Sequence, residues 1–323
     1  VTAAVATAPG RRLSLAGLTR NGMAVWVVVA IAVVALTLTD GARFWAPANI
    51  ANVLTATVVL GMAALGQHLV VLSGGIDLSV GSTATLSALL TAVLINGYPI
   101  RTVPVIIGML LLGALIGVVH GLLVARAGLP PFIVTLATLY LIQGAAFMVS
   151  TTPSGRVTTA LSAVALQRIG PVPYSFAVLV VAVALVAWVL RRTVFGRHLY
   201  AVGGDQAAAR ANGVPVSRVI ITAYVLAGML VAVAGILLAA RATVGSPTAG
   251  QGLELSAITV VVLGGTSLLG GRGSLVGTVG GVVLLSLVGS SVTLLQLPAT
   301  LTELIRGIVI LAAAAIFVTR VRR

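Results

Sequence analysis

The stretch 71-VLSGGIDLSVGS-82 decides how this chain is read. One aspartate stands among three glycines and three serines, between two long apolar runs. A charged side chain near the middle of a spanning helix costs about 2.5–3.5 kcal/mol on insertion scales, and it marks a pathway or a paired site. Glycine lets the backbone unwind, and irregular backbone survives in a membrane only where it lines a water-filled cavity or is buried in protein. Residues Gly74, Gly75, Asp77, Ser79 and Ser82 therefore predict an interrupted helix region over 74–82, with Asp77 and Ser79 placed to cap the second helix. Two compatible roles fit Asp77: a helix cap at the membrane rim and a wall of a polar cavity.

The rest of the chain supplies the membrane. Of its 323 residues 59% are hydrophobic and 7% charged, with mean hydropathy +1.19. A soluble domain carries about 25% charged residues, so this composition cannot cover a water-facing surface. Apolar runs near the roughly 20 residues of a spanning helix recur along the sequence. They predict an all-α polytopic membrane protein of about ten transmembrane helices, near 22–40, 51–72, 79–96, 103–125, 131–150, 174–190, 218–240, 253–270, 274–295 and 300–319. A cytoplasmic tail over 1–21 then precedes a single transmembrane domain over 22–323. The basic residues before the first run resemble a signal peptide's start, but no small-residue cleavage site stands clear after it, so the first helix reads as retained.

The net charge of +14 comes entirely from arginine, 19 residues against five carboxylates. These arginines gather at the ends of apolar runs, the positive-inside pattern, and not on a face fit for nucleic acid. With ten helices and an N-in, C-in orientation, 13 fall on the cytoplasmic side and six outside. There are no cysteines, so disulfides, cysteine-ligated zinc and thiol chemistry are excluded. The glycine-rich 264-GGTSLLGGRGSLVGTVGG-281 lacks the GK[ST] ending of a phosphate loop. No metal-ligand cluster or nucleophile–base pair is recognisable either, so no catalytic residue, metal or cofactor is assigned to this chain. The stretch 70-VVLSGGIDLSVG-81 is echoed by 261-VVLGGTSLLGG-271, which suggests a duplicated half or a chance match.

Two loops are long enough to hold structure. The segment 151–174, expected outside, should carry a short surface helix. The segment 191–218 is the most polar tract, and within it 205-DQAAARA-211 predicts a short helix with Asp205 as N-cap and Gly213 as its stop. A helix of that size is too small for a domain and suits a groove on a partner. Other polar residues inside spans are Gln67, His68, His120, Thr135, Thr138 and Gln143. Amides and hydroxyls of this kind could meet a polyol or tie helices together. Glu254 at a helix start and the Glu303–Arg306 pair read as structural.

Three ordered motifs, SGGIDLSVGS, AVGGDQAAARANGV and the late SPTAG…LE.SAITVVVLGGTSLLGGRGSLVGT, resemble the ribose-type permease family, and 130-PPFIVTLATL-139 joins them. These are membrane subunits of bacterial ABC importers for pentoses, other monosaccharides and autoinducer-2. The resemblance implies a multi-pass protein of the bacterial inner membrane, paired with a second copy or paralogue. It also implies a partner ATPase, often with tandem nucleotide-binding domains, that binds ATP and Mg, and an extracytoplasmic sugar-binding protein. The family's coupling helix falls on Gly204, Asp205, Ala208, Arg210 and Gly213. Ser256 stands where the family commonly has aspartate and Gln143 where it commonly has arginine, which leaves the sugar open. An ion-coupled secondary transporter and a passive channel for a small neutral solute are the competing classes.

Overall fold

The computed structural model describes residues 22–294 together with residues 296, 304 and 307. The expected tail over 1–21 lies outside them. So does the expected span 300–319 with its Glu303–Arg306 pair, apart from residues 304 and 307. Among the described residues seven helices are long and apolar enough to cross a membrane. They are α1 (Ala24–Phe44), α2 (Pro47–Leu72), α4 (Pro99–Ala125), α5 (Pro131–Val149), α7 (Tyr174–Arg192), α10 (Val216–Ala242) and α12 (Leu275–Leu294). Proline in the first turn of α2, α4 and α5 fits a position whose N–H has no helical partner.

Two shorter apolar helices, α3 (Val80–Ile95) and α11 (Leu253–Leu263), stand where the sequence predicts further spans. The second is a correction. The span predicted over 253–270 stops at Leu263, because Gly265, Gly270 and Gly271 take φ of +84°, +85° and +66° and turn the chain out of the helix. The remaining elements are α6 (Thr159–Leu166), the hairpin β1 (Arg168–Ile169) with β2 (Val172–Pro173), α8 (Val194–Gly204) and α9 (Gln206–Ala211). Helix α6 is the short helix expected between 151 and 174; the hairpin and α8 have no counterpart in the sequence reading.

Helix α10 is the hub. Ala223, Ala227, Val231, Ala234 and Ala239 are buried, and it packs along α2, α3 and α4. Helix α4 meets it through Gly113, Gly117 and Gly121, spaced four apart on one face. A Cβ on these would strike the Gly228 carbonyl, the Tyr224 backbone and the Ile221 Cα respectively. Apolar residues do not draw helices together in lipid, so close backbone approach through small residues takes that role. The outward faces are apolar: Ile31, Leu38, Ile100, Leu111, Tyr140, Met148 and Trp188 are all exposed. The interior, conversely, holds Gln67, His68, Asp77, His120 and Thr135 at 5% exposure or less. Polar groups here turn inward because only protein can satisfy them.

Candidate solute pathway and coupling segment

The chain leaves helical geometry between Leu72 and Val80. Asp77, 5% exposed, holds this break from inside: its Oδ1 accepts from the Ser79 N–H at 2.8 Å and from the Ser79 hydroxyl at 2.7 Å. Ser79 occupies the N-cap position of α3, yet its hydroxyl donates to Asp77 and does not cap the helix. That bond turns the hydroxyl toward the carboxylate and away from the N–H groups of the first helical turn. Ser82 donates to the Ser79 carbonyl at 3.0 Å. From α2, the Gln67 amide, with its oxygen and nitrogen placed to match their neighbours, clasps the Asp77 backbone, donating to its carbonyl at 3.0 Å and accepting from its N–H at 3.2 Å. From α5, the Thr135 hydroxyl reaches the Ile76 carbonyl at 3.0 Å. Gly74 takes φ +85°, and Gly75 leaves room for the Tyr224 hydroxyl, which a Cβ would strike.

Thr138 joins through His120. Its hydroxyl lies 2.7 Å from His120 Nε2 and also reaches the Val134 carbonyl at 3.0 Å and the Thr135 carbonyl at 3.1 Å, so the His120 tautomer sets which partner of the His120–Thr138 contact donates. His120 Nδ1 then faces Asp77 Oδ2 at 3.9 Å, beyond hydrogen-bond reach. Gln143 stands apart: its Nε2 donates to the Pro247 carbonyl at 2.7 Å, tying α5 to the loop after α10.

A second break separates α11 from α12, at the segment that echoes the first. His68, beside Gln67 on α2, secures it: Nδ1 contacts the hydroxyls of Thr266 at 3.2 Å and Thr278 at 2.9 Å. The Gly271 N–H donates to the Leu72 carbonyl at 3.0 Å. Consecutive residues of one helix therefore hold the two breaks, and the breaks bond to each other at the end of α2.

Toward the other end of α2 lies a cavity of about 440 Å³. Its polar lining is Asn49, Asn52, Arg241, Gln251, Ser256, Ser286 and Ser290, with Val53, Val59, Leu60, Leu238 and Leu285 as apolar wall. Asn49 and Ser290 are tied across it by a 2.8 Å hydrogen bond, while Asn52, Gln251 and Arg241 are exposed. The buried Ser286 hydroxyl has no partner among the described residues. The cavity lies within the size range of small-molecule sites, about 300–1,000 Å³. Its described lining contains no carboxylate. Gln67, Thr135, Thr138, Gln143 and the 74–82 residues do not line it; the structure gathers most of them around the first break instead. The sequence reading passed over Asn49 and Asn52 because they open α2, ahead of the apolar run.

The polar tract 191–218 folds as α8 and α9. Asp205 caps α9, its Oδ1 accepting from the N–H groups of Ala207 at 2.8 Å and Ala208 at 3.0 Å. Gly213, at φ +79°, turns the chain away. Ala208 and Arg210 are exposed and only Ala209 is buried in this helix. Helix α8 had a signal of its own in Thr193, which caps it, and in Leu199 and Val202, which it buries.

The family model described as branched-chain amino acid transport system / permease component matches residues 49–314. The fructose import permease protein of Rhizobium meliloti is 36% identical over 299 residues, covering 90% of this chain and 83% of that protein. The ribose import permease protein of Bacillus subtilis is 39% identical over 278 residues, 84% of each chain. An autoinducer 2 import system permease protein from Enterobacter is 40% identical over 263 residues, 80% of this chain and 76% of that one. No solved structure matches the chain.

Proposed function

The chain belongs to the branched-chain amino acid transport system / permease component family, and from that premise we propose that it passes a monosaccharide or related small polyol across the bacterial cytoplasmic membrane as the permease subunit of an ATP-driven importer. The cavity carries this reading. Amides, hydroxyls and one guanidinium on an apolar wall suit a neutral polyhydroxylated solute, which offers donors and acceptors on every side and no charge. Solute enters at Asn52, Gln251 and Arg241 and leaves past the two helix breaks, where Gln67, Asp77, Ser79, Ser82, Thr135 and Thr138 shape the inner constriction. About ten helices with both termini inside fit the arginine distribution, 13 against six. ATP and Mg belong to a partner ATPase docked on the exposed face of α9, where Ala208 and Arg210 meet it. An extracytoplasmic binding protein delivers solute, and a second permease copy or paralogue completes the channel.

Reconstitution with the ATPase and binding protein tests this. Ribose or fructose uptake should follow ATP and persist when the proton gradient is collapsed. Asn52→Ala and Gln251→Ala should each slow uptake by about two- to tenfold, the scale of one lost hydrogen bond. Uptake that tracks the gradient and ignores ATP would favour ion coupling instead.

A further inference from the structure

We propose that Gly203 is a positioning residue that transmits the position of the ATPase-docking helix α9 to both helix breaks at once, so that the two walls of the cavity move together. The proposal rests on the ATP-driven reading above and goes beyond it, to the atoms through which the drive passes.

Three backbones meet at the end of α8 with no side chain between them. A Cβ on Gly203 would fall on the Leu72 carbonyl and close on the Gly271 N–H, the two partners of the hydrogen bond that joins the breaks. A Cβ on Gly270 would meet the Gly203 carbonyl and the Gly74 Cα, each at 2.8 Å. A Cβ on Gly271 would meet the Gly204 backbone. Helix α8 is anchored above this seam: Leu199 and Val202 are buried in the same cluster as Leu69, Leu72 and Tyr224. The Tyr200 hydroxyl donates to the Gly273 carbonyl at 3.5 Å. Burial holds that phenol above its ordinary range against the opposing pull of Arg191, so it keeps its proton. Helix α9, one residue beyond, is exposed apart from Ala209.

Flexible side chains would absorb a displacement; backbone packed on backbone passes it on, as close-packed interiors do. Leu72 ends α2, whose first turns carry Asn49 and Asn52 about 30–35 Å away at 1.5 Å rise per residue. Gly271 lies between α11, which carries Ser256, and α12, which carries Ser286 and Ser290. A shift at Gly203 therefore acts on the helices of both walls through one hydrogen bond.

The experiment uses the full transporter complex in proteoliposomes, with Gly203→Ala, Gly203→Val and the control Gly108→Ala, whose Cβ meets open space. Gly203 variants should retain the ATPase and hydrolyse ATP, while uptake per ATP falls about fivefold or more, the range of measurable site–site coupling. Gly108→Ala should match the parent. A second measurement reads the two walls directly, first in the parent and then in Gly203→Ala: Asn52→Cys on α2 and Ser290→Cys on α12 are labelled separately with an impermeant maleimide, with and without nucleotide. Both labelling rates should respond to nucleotide in the same states, and Gly203→Ala should abolish both responses. If one wall responds and the other does not, the common seam is wrong. If both respond equally in parent and Gly203→Ala, the seam is overturned while ATP-driven movement stands. If neither responds in the parent, the transmission path falls with it.

Discussion

Replacing Asp77 by leucine and, separately, by asparagine asks what holds the first break. In both variants the buried charge is gone, so its desolvation cost cancels between them. Asparagine keeps an Oδ1 acceptor for the Ser79 N–H and hydroxyl; leucine keeps none. Each buried polar group left unpaired costs about 1–3 kcal/mol. The Ser79 hydroxyl can swing toward another acceptor, whereas its N–H is fixed by the backbone. The leucine variant should therefore be less stable than the asparagine variant by at least about 1–3 kcal/mol, and by up to about 6 kcal/mol if the hydroxyl stays stranded. Thermal unfolding in detergent, followed by size-exclusion fluorescence, measures the order. Uptake at matched membrane levels should survive in Asp77→Asn and be lost in Asp77→Leu. If folded Asp77→Asn loses uptake as completely as Asp77→Leu, the charge itself works in transport and the hydrogen-bond account is refuted. Equal stability of the two variants would refute it from the other side.

Gly117→Leu should split α4 from α10, because its side chain enters the Tyr224 backbone, and the purified protein should lose its monodisperse peak; Gly108→Leu, facing open space on the same helix, should keep it. His68→Phe should free the second break by stripping Thr266 and Thr278 of their shared partner, and trypsin should cleave after the exposed Arg272 faster than in the parent. Asp205→Ala removes the cap of α9, worth about 1 kcal/mol, and should lower recovery of the ATPase on a permease affinity column. Arg210→Glu should do the same by reversing an exposed charge on that face, with the permease itself as stable as the parent.

The membrane class, the break after Leu72, the cap at Asp205 and the stop at Gly213 were legible in the sequence because each is a local event. Composition sets the solvent, Gly74 supplies a backbone angle, and Asp77 and Asp205 bond to residues two or three positions away. The glycines 113, 117 and 121 also advertise a close-packed face, but their spacing does not say that Tyr224 and Gly228 lie against it. Helix α11 reads as a full span until the turn at 264–273 is seen folded against Leu72 and Gly203. The cavity was hidden for a related reason: Asn52, Arg241, Gln251 and Ser286 come from four parts of the chain, and among the described residues none of their side chains has a hydrogen-bond partner close in sequence that would mark it. Gln67 and His68 looked like a polar pair inside one span, and tertiary structure gave each its own break to hold. Local bonding is written in the order of residues. The meeting of Leu72, Gly203 and Gly271 depends on how helices far apart in sequence close on one another, and glycine leaves no side-chain pattern from which that meeting could be read.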